Sequence, residues 1–515
     1  IVFEGGLKQG PTPKDTYIDL FDHIDELKKG KNTIAVLVWH FGKNGFSHRN
    51  SGHAGLFFEL NVGNKTFCGD NTWKVSPHPA YYIPEGESPN FRLPESNIGF
   101  DASKDIYFTD QSFDDSAWSN CSVISCDSAN WNRFVPRPIP QWKDFGLKKY
   151  DKLEYRGDTL IAYLPYNAQI TPYLKVKTKD AGKKIDIRTD NYYGGSAPNV
   201  RAEYITKSGE QEYESLGWMN GHYVMYLPQT GVEIEDVMYR ETGYDTEFAG
   251  SFICNDDFLN TLWQKAQRTL YITMRDTYMD CPDRERAQWW GDVVNELGET
   301  FYSLDAKSHL LTRKAIYELM NWQRVDSTIY SPVPDGRSWN NELPMQMLAS
   351  VSYYGFWTYY MGTGDKQTIV NVLPNVKKYL SVWTFNEEGL VNPRPGNWNW
   401  GDWGENIHME PLFSLWYSIA LNGYEKMAEL ADDKKEMDWA IGLNRKIKKN
   451  FHRKYWKGTY YMSDNYEGLP DDRVQALAVV GGFLPADLHP VIRTFFKEQY
   501  HASPYMEKYV LEALC

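Results

Sequence analysis

The sequence predicts two structural classes in one chain, β-sheet modules first and an all-α unit second. Three observations carry this. Up to about residue 250, short alternating runs lie between turn residues; beyond it, apolar residues recur at helical spacing; and no strand texture returns among the helices to suggest βαβ units. At ~150 residues per domain, 515 residues suggest about three domains. The expected division is a jelly-roll-like β-sandwich over 1–145, a second β-sandwich over 146–248, and a helical domain over 249–515.

In the first half, Ala54–Val62, Thr159–Tyr166 and Val232–Glu241 read as strands. Leu174–Thr178 and Lys184–Thr189 alternate about an Asp180-Ala181-Gly182 turn, the pattern of a hairpin. Arg133–Trp142 holds three prolines in ten residues and reads as a linker. In the second half, Asn255-Asp256-Asp257 is an N-cap cluster. The stripe Phe258, Leu259, Leu262, Trp263, Ala266, Leu270 follows it. Further stripes lie near 292–304, 306–322, 343–361, 366–384, 410–430, 434–451, 470–482, 487–499 and 503–514. About ten helices without a fixed repeat favour a toroid of hairpin-paired helices over an α-solenoid.

Composition removes several functions. Lys and Arg number 55 against 68 Asp and Glu, net −13, so no nucleic-acid or anionic-membrane partner is expected. No apolar run approaches the ~18 residues of a membrane helix. The chain opens Ile-Val-Phe, without a basic stretch leading into an apolar one, so a secretory leader is expected to be absent or already removed. The six cysteines lack CxxC spacing; Cys121 and Cys126 are near enough in sequence for a short-loop bridge, but nothing requires one. GxGxxG, P-loop, HExxH and GxSxG patterns are missing from the sequence, so no cofactor and no metal is expected. What stands out is the aromatic content, with 19 Trp, 36 Tyr and 24 Phe. Trp and Tyr offer broad apolar faces with a polar handle, suited to packed cores and equally to sugars.

The chemistry concentrates in three segments of the helical half. Tyr278–Asp292 (YMDCPDRERAQWWGD) sets Asp280, Asp283, Glu285 and Asp292 among Arg284, Arg286 and two adjacent indoles. Crowded carboxylates beside apolar rings are pushed toward the protonated form, which a general acid needs near neutral pH. The purely structural alternative is an ion network capping a helix. Ser331–Pro344 carries Asp335, Arg337, Trp339 and Glu342 between prolines; Asn392–Asn406 carries three tryptophans, Asp402 and Glu405 among Gly and Pro. Helices do not form across such sequence, so both are loops. Tryptophan beside carboxylate, three times over, is the equipment of a carbohydrate cleft; core packing is the alternative for each ring alone.

DCPDRERAQWWGD resembles the signature of the α-L-rhamnosidases of glycoside hydrolase family 78, one residue shorter between Arg and Glu than its commonest form. SWNNELP, YYGFWTYYMGTGD, the GDW of Gly401–Trp403 and YVLEAL are similar to that family too. So are FGKNGFSHRNSGHAGLFFEL and DNTWK in the front half. The resemblance implies β-sandwich modules, carbohydrate-binding-like at the front, before an (α/α)6 toroid. It also implies inverting hydrolysis of terminal α-L-rhamnosides, in a bacterial protein acting in the periplasm or outside the cell. Carried over by position, Glu285 is the general acid, and Asp280, Arg284 and Asp292 bind sugar hydroxyls. Trp289, Trp339 and Trp403 shape the pocket, with Asp402 as a polar wall beside Trp403. Arg286, Glu342 and Glu405 are further candidates, Glu405 as an alternative base. The family's base lies in a Trp-Glu pair late in the toroid; no such dipeptide occurs here, and the chain ends at Cys515. The expectation is therefore a toroid incomplete at its C-terminal end, in a fragment of a longer enzyme. A naturally short, non-catalytic sugar-binding relative is one alternative; the same fold acting on another sugar is the other.

Overall fold

The computed structural model describes residues 10–21, 27–124, 133–195, 197–336 and 339–515. Cys126 and Arg337 therefore lie outside the described residues, and with Cys126 the possible Cys121–Cys126 bridge. The chain divides into two compact units. The first comprises Ile1–Asp245, Gln264–Ala287 and Pro334–Ser338; the second comprises Thr246–Trp263, Gln288–Val333 and Trp339–Cys515.

The first unit is built on a ten-stranded sheet. Its centre is one long strand, Thr159–Thr178, in which the expected Thr159–Tyr166 and Leu174–Thr178 runs merge. The register shifts between Tyr163 and Ala168, across Pro165, which has no N–H to give to a ladder. Alternation sends Ile170, Leu174 and Val176 into the core, where they meet Ile185, Ile187, Val224, Tyr226 and Val237.

The expected hairpin does not form. Leu174–Thr178 is already paired on both edges, with Gly209–Glu214 and Val232–Gly243. Lys184–Thr189 therefore pairs elsewhere, with Ala202–Ile205 and Met219–Pro228.

The boundary expected at 145 is also absent. Strand Lys143–Lys149 pairs with Val232–Gly243, and Ile98–Asp101 lies parallel to Ala202–Ile205, so both expected β-domains contribute to one sheet. The proline stretch is not a free linker either: Arg133–Pro136 pairs parallel with Asp15–Ile18, the edge position that proline tolerates.

Eleven α-helices lie among the described residues. They are α1 (Asp257–Ile272), α2 (Trp290–Ser303), α3 (Ser308–Asn321), α4 (Pro344–Ser350), α5 (Thr358–Thr363) and α6 (Lys366–Leu380), then α7 (Met409–Leu430), α8 (Lys434–Tyr455), α9 (Asp472–Val480), α10 (His489–Phe495) and α11 (Pro504–Leu514). Strands give way to helices between Gly243 and Asp257. Yet Gln264–Ala287, the end of α1 and the residues after it, belongs to the sheet unit. There Arg268 pairs with Glu241 (2.9 Å) and the Tyr271 hydroxyl donates to Tyr244 O (3.0 Å).

Burial sorts the helices of the second unit into two layers. All seven residues of α4 are buried, and α7 is buried continuously from Pro411 to Leu421, the mark of inner helices. On α8 only Ala440, Asn444, Ile447, Phe451 and Tyr455 are buried, one stripe of an outer helix. The inner succession runs α2, α4, α7, α9, α11, with α3, α6 and α8 packed outside it. Asn295 of α2 donates to Tyr505 O at the start of α11 (3.5 Å).

The stripe expected over 343–361 is interrupted. A π-helical turn at Tyr353–Trp357 separates α4 from α5, with the Ser352 hydroxyl accepting Tyr354 N–H. A side chain at Gly355 would strike Ser350 O.

One buried ion pair braces this layer. Lys314 Nζ and Glu318 Oε1 of α3 lie 2.7 Å apart, both withdrawn from water, and Glu318 Oε2 accepts the Gln288 amide (3.0 Å). Removing one partner of such a pair strands the other charge. Lys314→Met is therefore expected to lower stability to urea by about 3–5 kcal/mol, with Lys314→Met/Glu318→Leu recovering most of the loss. Equal losses in the single and double variants would show that the stranded charge is not the cause.

Candidate functional site

The charged segment after α1 folds into a closed loop within the sheet unit. Asp280 N–H donates to Ala287 O (2.9 Å), and Ala287 N–H donates back to Asp280 Oδ1 (3.1 Å). Inside that closure Arg284 Nε donates to Glu285 Oε1 (2.8 Å), and Nη2 lies 3.4 Å from Asp280 Oδ2. Glu285 is 5% exposed, while Arg284 is partly open to solvent. One guanidinium thus ties together the two carboxylates expected to act on the sugar, with Glu285 nearly buried.

Asp283 turns the other way. It accepts the Asn199 amide (3.2 Å), and burial pushes its carboxyl upward. Burial, with Asp280 beside it, pushes the Cys281 thiol up to about 12, so it stays protonated. Among the described residues, Asp280, Cys281 and Glu285 are the one cluster with metal-ligand spacing, their ligand atoms lying within 4.8 Å of one another. The cation actually seated on the two carboxylates is Arg284.

Arg286 does not join this group. It is 3% exposed, with its guanidinium over the Trp218 ring and paired to Glu95. Its candidacy as a sugar contact is corrected by that burial.

The remaining candidates belong to the helical unit. Trp289 caps α2, and Asp292 sits in its first turn, where a carboxylate suits the positive end of the helix. Gln288 and Trp290 are pinned by the Ser331–Val333 segment: Gln288 Nε2 donates to Val333 O (2.7 Å) and Trp290 N–H to Ser331 Oγ (2.7 Å).

The indoles form a row of edge-on contacts. Trp289 meets Trp398 (6.1 Å between ring centres), Trp398 meets Trp403 (5.9 Å), Trp403 meets Trp400 (5.4 Å) and Trp400 meets Tyr505 (4.9 Å). Trp403 keeps 70% of its surface open, against 8% for Trp289. Trp339 is more than one-third exposed. Trp398, the link in this row, was not singled out in the sequence, although it lies in the Trp-rich loop.

Two acidic candidates are structural. Glu342 pairs with Arg394 (2.5 Å), and its N–H donates to Asn397 Oδ1 (2.6 Å), fastening the second loop to the third. Asp402 was expected to face the sugar. Its side chain is instead fully buried. It accepts Arg473 Nη1 (2.8 Å), Ser503 N–H (2.9 Å) and the Ser503 hydroxyl, and also Trp403 N–H (2.8 Å). Glu405 gives its carbonyl to Arg473, while its side chain is exposed.

Sequence reasoning missed Arg473. The available signal was the Asp-Asp-Arg run opening α9, where Asp471 is the cap and also pairs with Arg473 (2.7 Å). Burial pushes Asp471 up to about 6, against the pull of Arg473.

Residues 247–495 match the profile described as the bacterial alpha-L-rhamnosidase 6 hairpin glycosidase domain. An alpha-L-rhamnosidase of Streptomyces avermitilis is 22% identical over 441 residues, 80% of this chain and 41% of that protein. One from Formosa agariphila is 19% identical over 445 residues, 78% of this chain and 45% of that protein. The chain therefore spans less than half the length of these curated relatives.

Among solved structures, the GH78 family rhamnosidase of Bacillus sp. GL1 superposes with a TM-score of 0.85 at 16% identity, covering 100% of this chain and 79% of that one. The Streptomyces avermitilis alpha-L-rhamnosidase complexed with L-rhamnose gives a TM-score of 0.74 at 15% identity, covering 92% and 47%. At such identities these likenesses show a shared fold. Sheet modules followed along the chain by hairpin-paired helices, with the matched region inside the helical half, are the fold shared with these rhamnosidases. Residues 247–495 resemble their six-hairpin glycosidase domain, and the chain as a whole is similar to α-L-rhamnosidases of glycoside hydrolase family 78.

The Asp471 group gives a pH test. His408 N–H donates to Asp471 Oδ2 (2.8 Å), and its ring stacks on Tyr466, 4.0 Å between centres. Burial lowers the imidazole from 6.5 to about 4. Between those values the unfolded chain takes up a proton that the folded chain refuses. Stability contributed by His408 is therefore lost as pH falls from 6.5 toward 4, by at most about 2 kcal/mol after solvent screening. The difference in unfolding free energy between pH 7.5 and 4.5, from urea titrations, should shrink by up to that amount in His408→Asn relative to the parent; an unchanged difference would refute it.

Proposed function

We propose that the protein is an inverting glycosidase that releases terminal α-L-rhamnose from glycosides or rhamnose-containing polysaccharides, with Glu285 as general acid. The observation that carries this is the closed Asp280–Ala287 loop, in a chain that resembles this family. The Arg284 guanidinium fixes the direction of the nearly buried Glu285 carboxyl beside a second carboxylate, which is the positional requirement of a general acid at a departing sugar oxygen. In this reading Asp280 and Arg284 also bind hydroxyls of the sugar, and Asp292 assists. Trp289, Trp339 and Trp403 supply the apolar surface that the 6-methyl of rhamnose requires.

Inversion needs a second carboxylate ~6.5–9.5 Å from the acid, to activate water on the opposite face. Of the loop carboxylates considered, Glu342 and Asp402 are engaged by Arg394 and Arg473, and Glu405 keeps an exposed side chain. Periplasmic or extracellular action belongs to the same proposal, since such polysaccharides lie outside the cell.

Glu285→Gln is expected to lower kcat on an aryl α-L-rhamnoside by about 10²–10⁴-fold, with the far-UV circular dichroism and urea midpoint unchanged. A retained rate would remove Glu285 from the acid role. A panel of aryl glycosides tests the sugar: turnover of another glycoside with the rhamnoside untouched would replace the substrate. L-Rhamnose binding by calorimetry, without turnover of any panel member, would mark a carbohydrate-binding relative.

A further inference from the structure

Resting on the reading of Glu285 as general acid, we propose that Glu95 and Trp218 are positioning residues for it. They act through Arg286, and none of the three is expected to touch the sugar. The first observation is backbone sign. Arg286 has φ +53°, the left-handed region that side chains other than glycine adopt only when held there. It lies between Glu285 and Ala287, so its φ sets the direction in which the Glu285 carboxyl leaves the loop. A right-handed or extended residue at this point would swing Glu285 away from Ala287, whose N–H and C=O both bond to Asp280.

The second observation is the number of groups that hold Arg286. Its guanidinium lies 3.4 Å from the Trp218 ring centre. Nη1 donates to Glu95 Oε1 (3.1 Å), Nη2 to Trp218 O (3.3 Å) and Nε back to Pro282 O (2.9 Å). Its own carbonyl accepts the Ser47 hydroxyl (3.0 Å).

The third observation is that Trp218 is itself gripped. Arg275 lies 4.7 Å from its ring centre and 3.6 Å from that of Trp142, so rings and guanidiniums alternate in the order Trp142, Arg275, Trp218, Arg286. Guanidinium planes on indoles are among the stronger cation–π contacts when desolvated. Glu95 supplies the charge that lets Arg286 be buried without turning back toward the Glu285 and Asp280 carboxylates. A general acid displaced by a fraction of an ångström loses its proton-transfer geometry.

The experiment uses two rhamnosides with different leaving groups. A 2,4-dinitrophenolate departs without protonation; an alkoxide does not. Glu95→Ala and Trp218→Leu are each expected to reduce kcat on an alkyl α-L-rhamnoside at least about ten-fold more than on the dinitrophenyl one. Trp218→Phe, which keeps a ring under Arg286, should recover most of the rate. Equal losses on both substrates, or no loss, would overturn the positioning role.

Hydrogen exchange is read in parallel, because it does not depend on turnover. The amides of Asp280 and Ala287 should exchange at least about ten-fold faster in Glu95→Ala, with other protected amides unchanged. Unchanged loop protection would also overturn the proposal. If the parent cleaves neither rhamnoside, the glycosidase reading falls, and loop exchange alone decides whether the clamp exists.

Discussion

The two hydrogen bonds that join Asp280 to Ala287 constrain everything between them. Eight residues closed end to end have little freedom, and the charges they carry must then point in opposite directions. Arg284 and Glu285 face Asp280, whereas Asp283 and Arg286 turn into the sheet unit. The closure alone would not hold this division, because a left-handed arginine is held only where surrounding contacts over-determine it. The holding contacts are Glu95, the Trp218 ring and the Ser47 hydroxyl, far away in sequence. This accounts for the assignment of Gln264–Ala287 to the sheet unit although it follows the first helix.

The helical unit uses buried charge similarly. Arg473 is fully withdrawn from water, yet it bonds to Asp471, Asp402, the Glu405 carbonyl and the His501 carbonyl (3.2 Å). Taking such a group out of water is costly, and a packed apolar residue serves stability as well. An apolar residue, however, could not fix the direction of four oxygens. The return is geometric: the Trp403 loop is fastened to the starts of both α9 and α11, and the Trp400 contact with Tyr505 follows from that fastening.

Legibility in the sequence followed the range of the deciding interaction. Helices α6, α7 and α8 show their stripes within a few turns of chain and lie close to where periodicity places them. The Leu174–Thr189 hairpin was misread because its pairing is decided by competition: Gly209–Glu214 and Val232–Gly243 take both edges first. The boundary at 145 was misread for a related reason, since the proline stretch finds a parallel partner at Asp15–Ile18. At the candidate site, composition and spacing singled out a loop that the structure closes on itself, but could not divide its arginines. Arg284 and Arg286 are two residues apart in the same motif, and only the backbone sign at Arg286 separates them. Asp402 misled in the same way, because its partner Arg473 lies 71 residues on.

The aromatic excess divides along the same line. Trp142 and Trp218 serve as platforms for guanidinium groups, and Trp290, Trp322 and Trp416 are core. Trp398, Trp400 and Trp403 come from one loop that Gly and Pro prevent from coiling, so their rings can gather on one another. Edge-on packing lets each indole support its neighbour through the positive rim of one ring and the negative face of the next, with centroids in the favourable 4.5–7 Å range. A ring in the middle of such a row is braced by both neighbours and can still stay open to solvent. Trp403, between Trp398 and Trp400 and 70% exposed, is that ring. Its backbone N–H is held by Asp402, so the carboxylate that seemed a sugar ligand contributes instead to the orientation of the indole beside it.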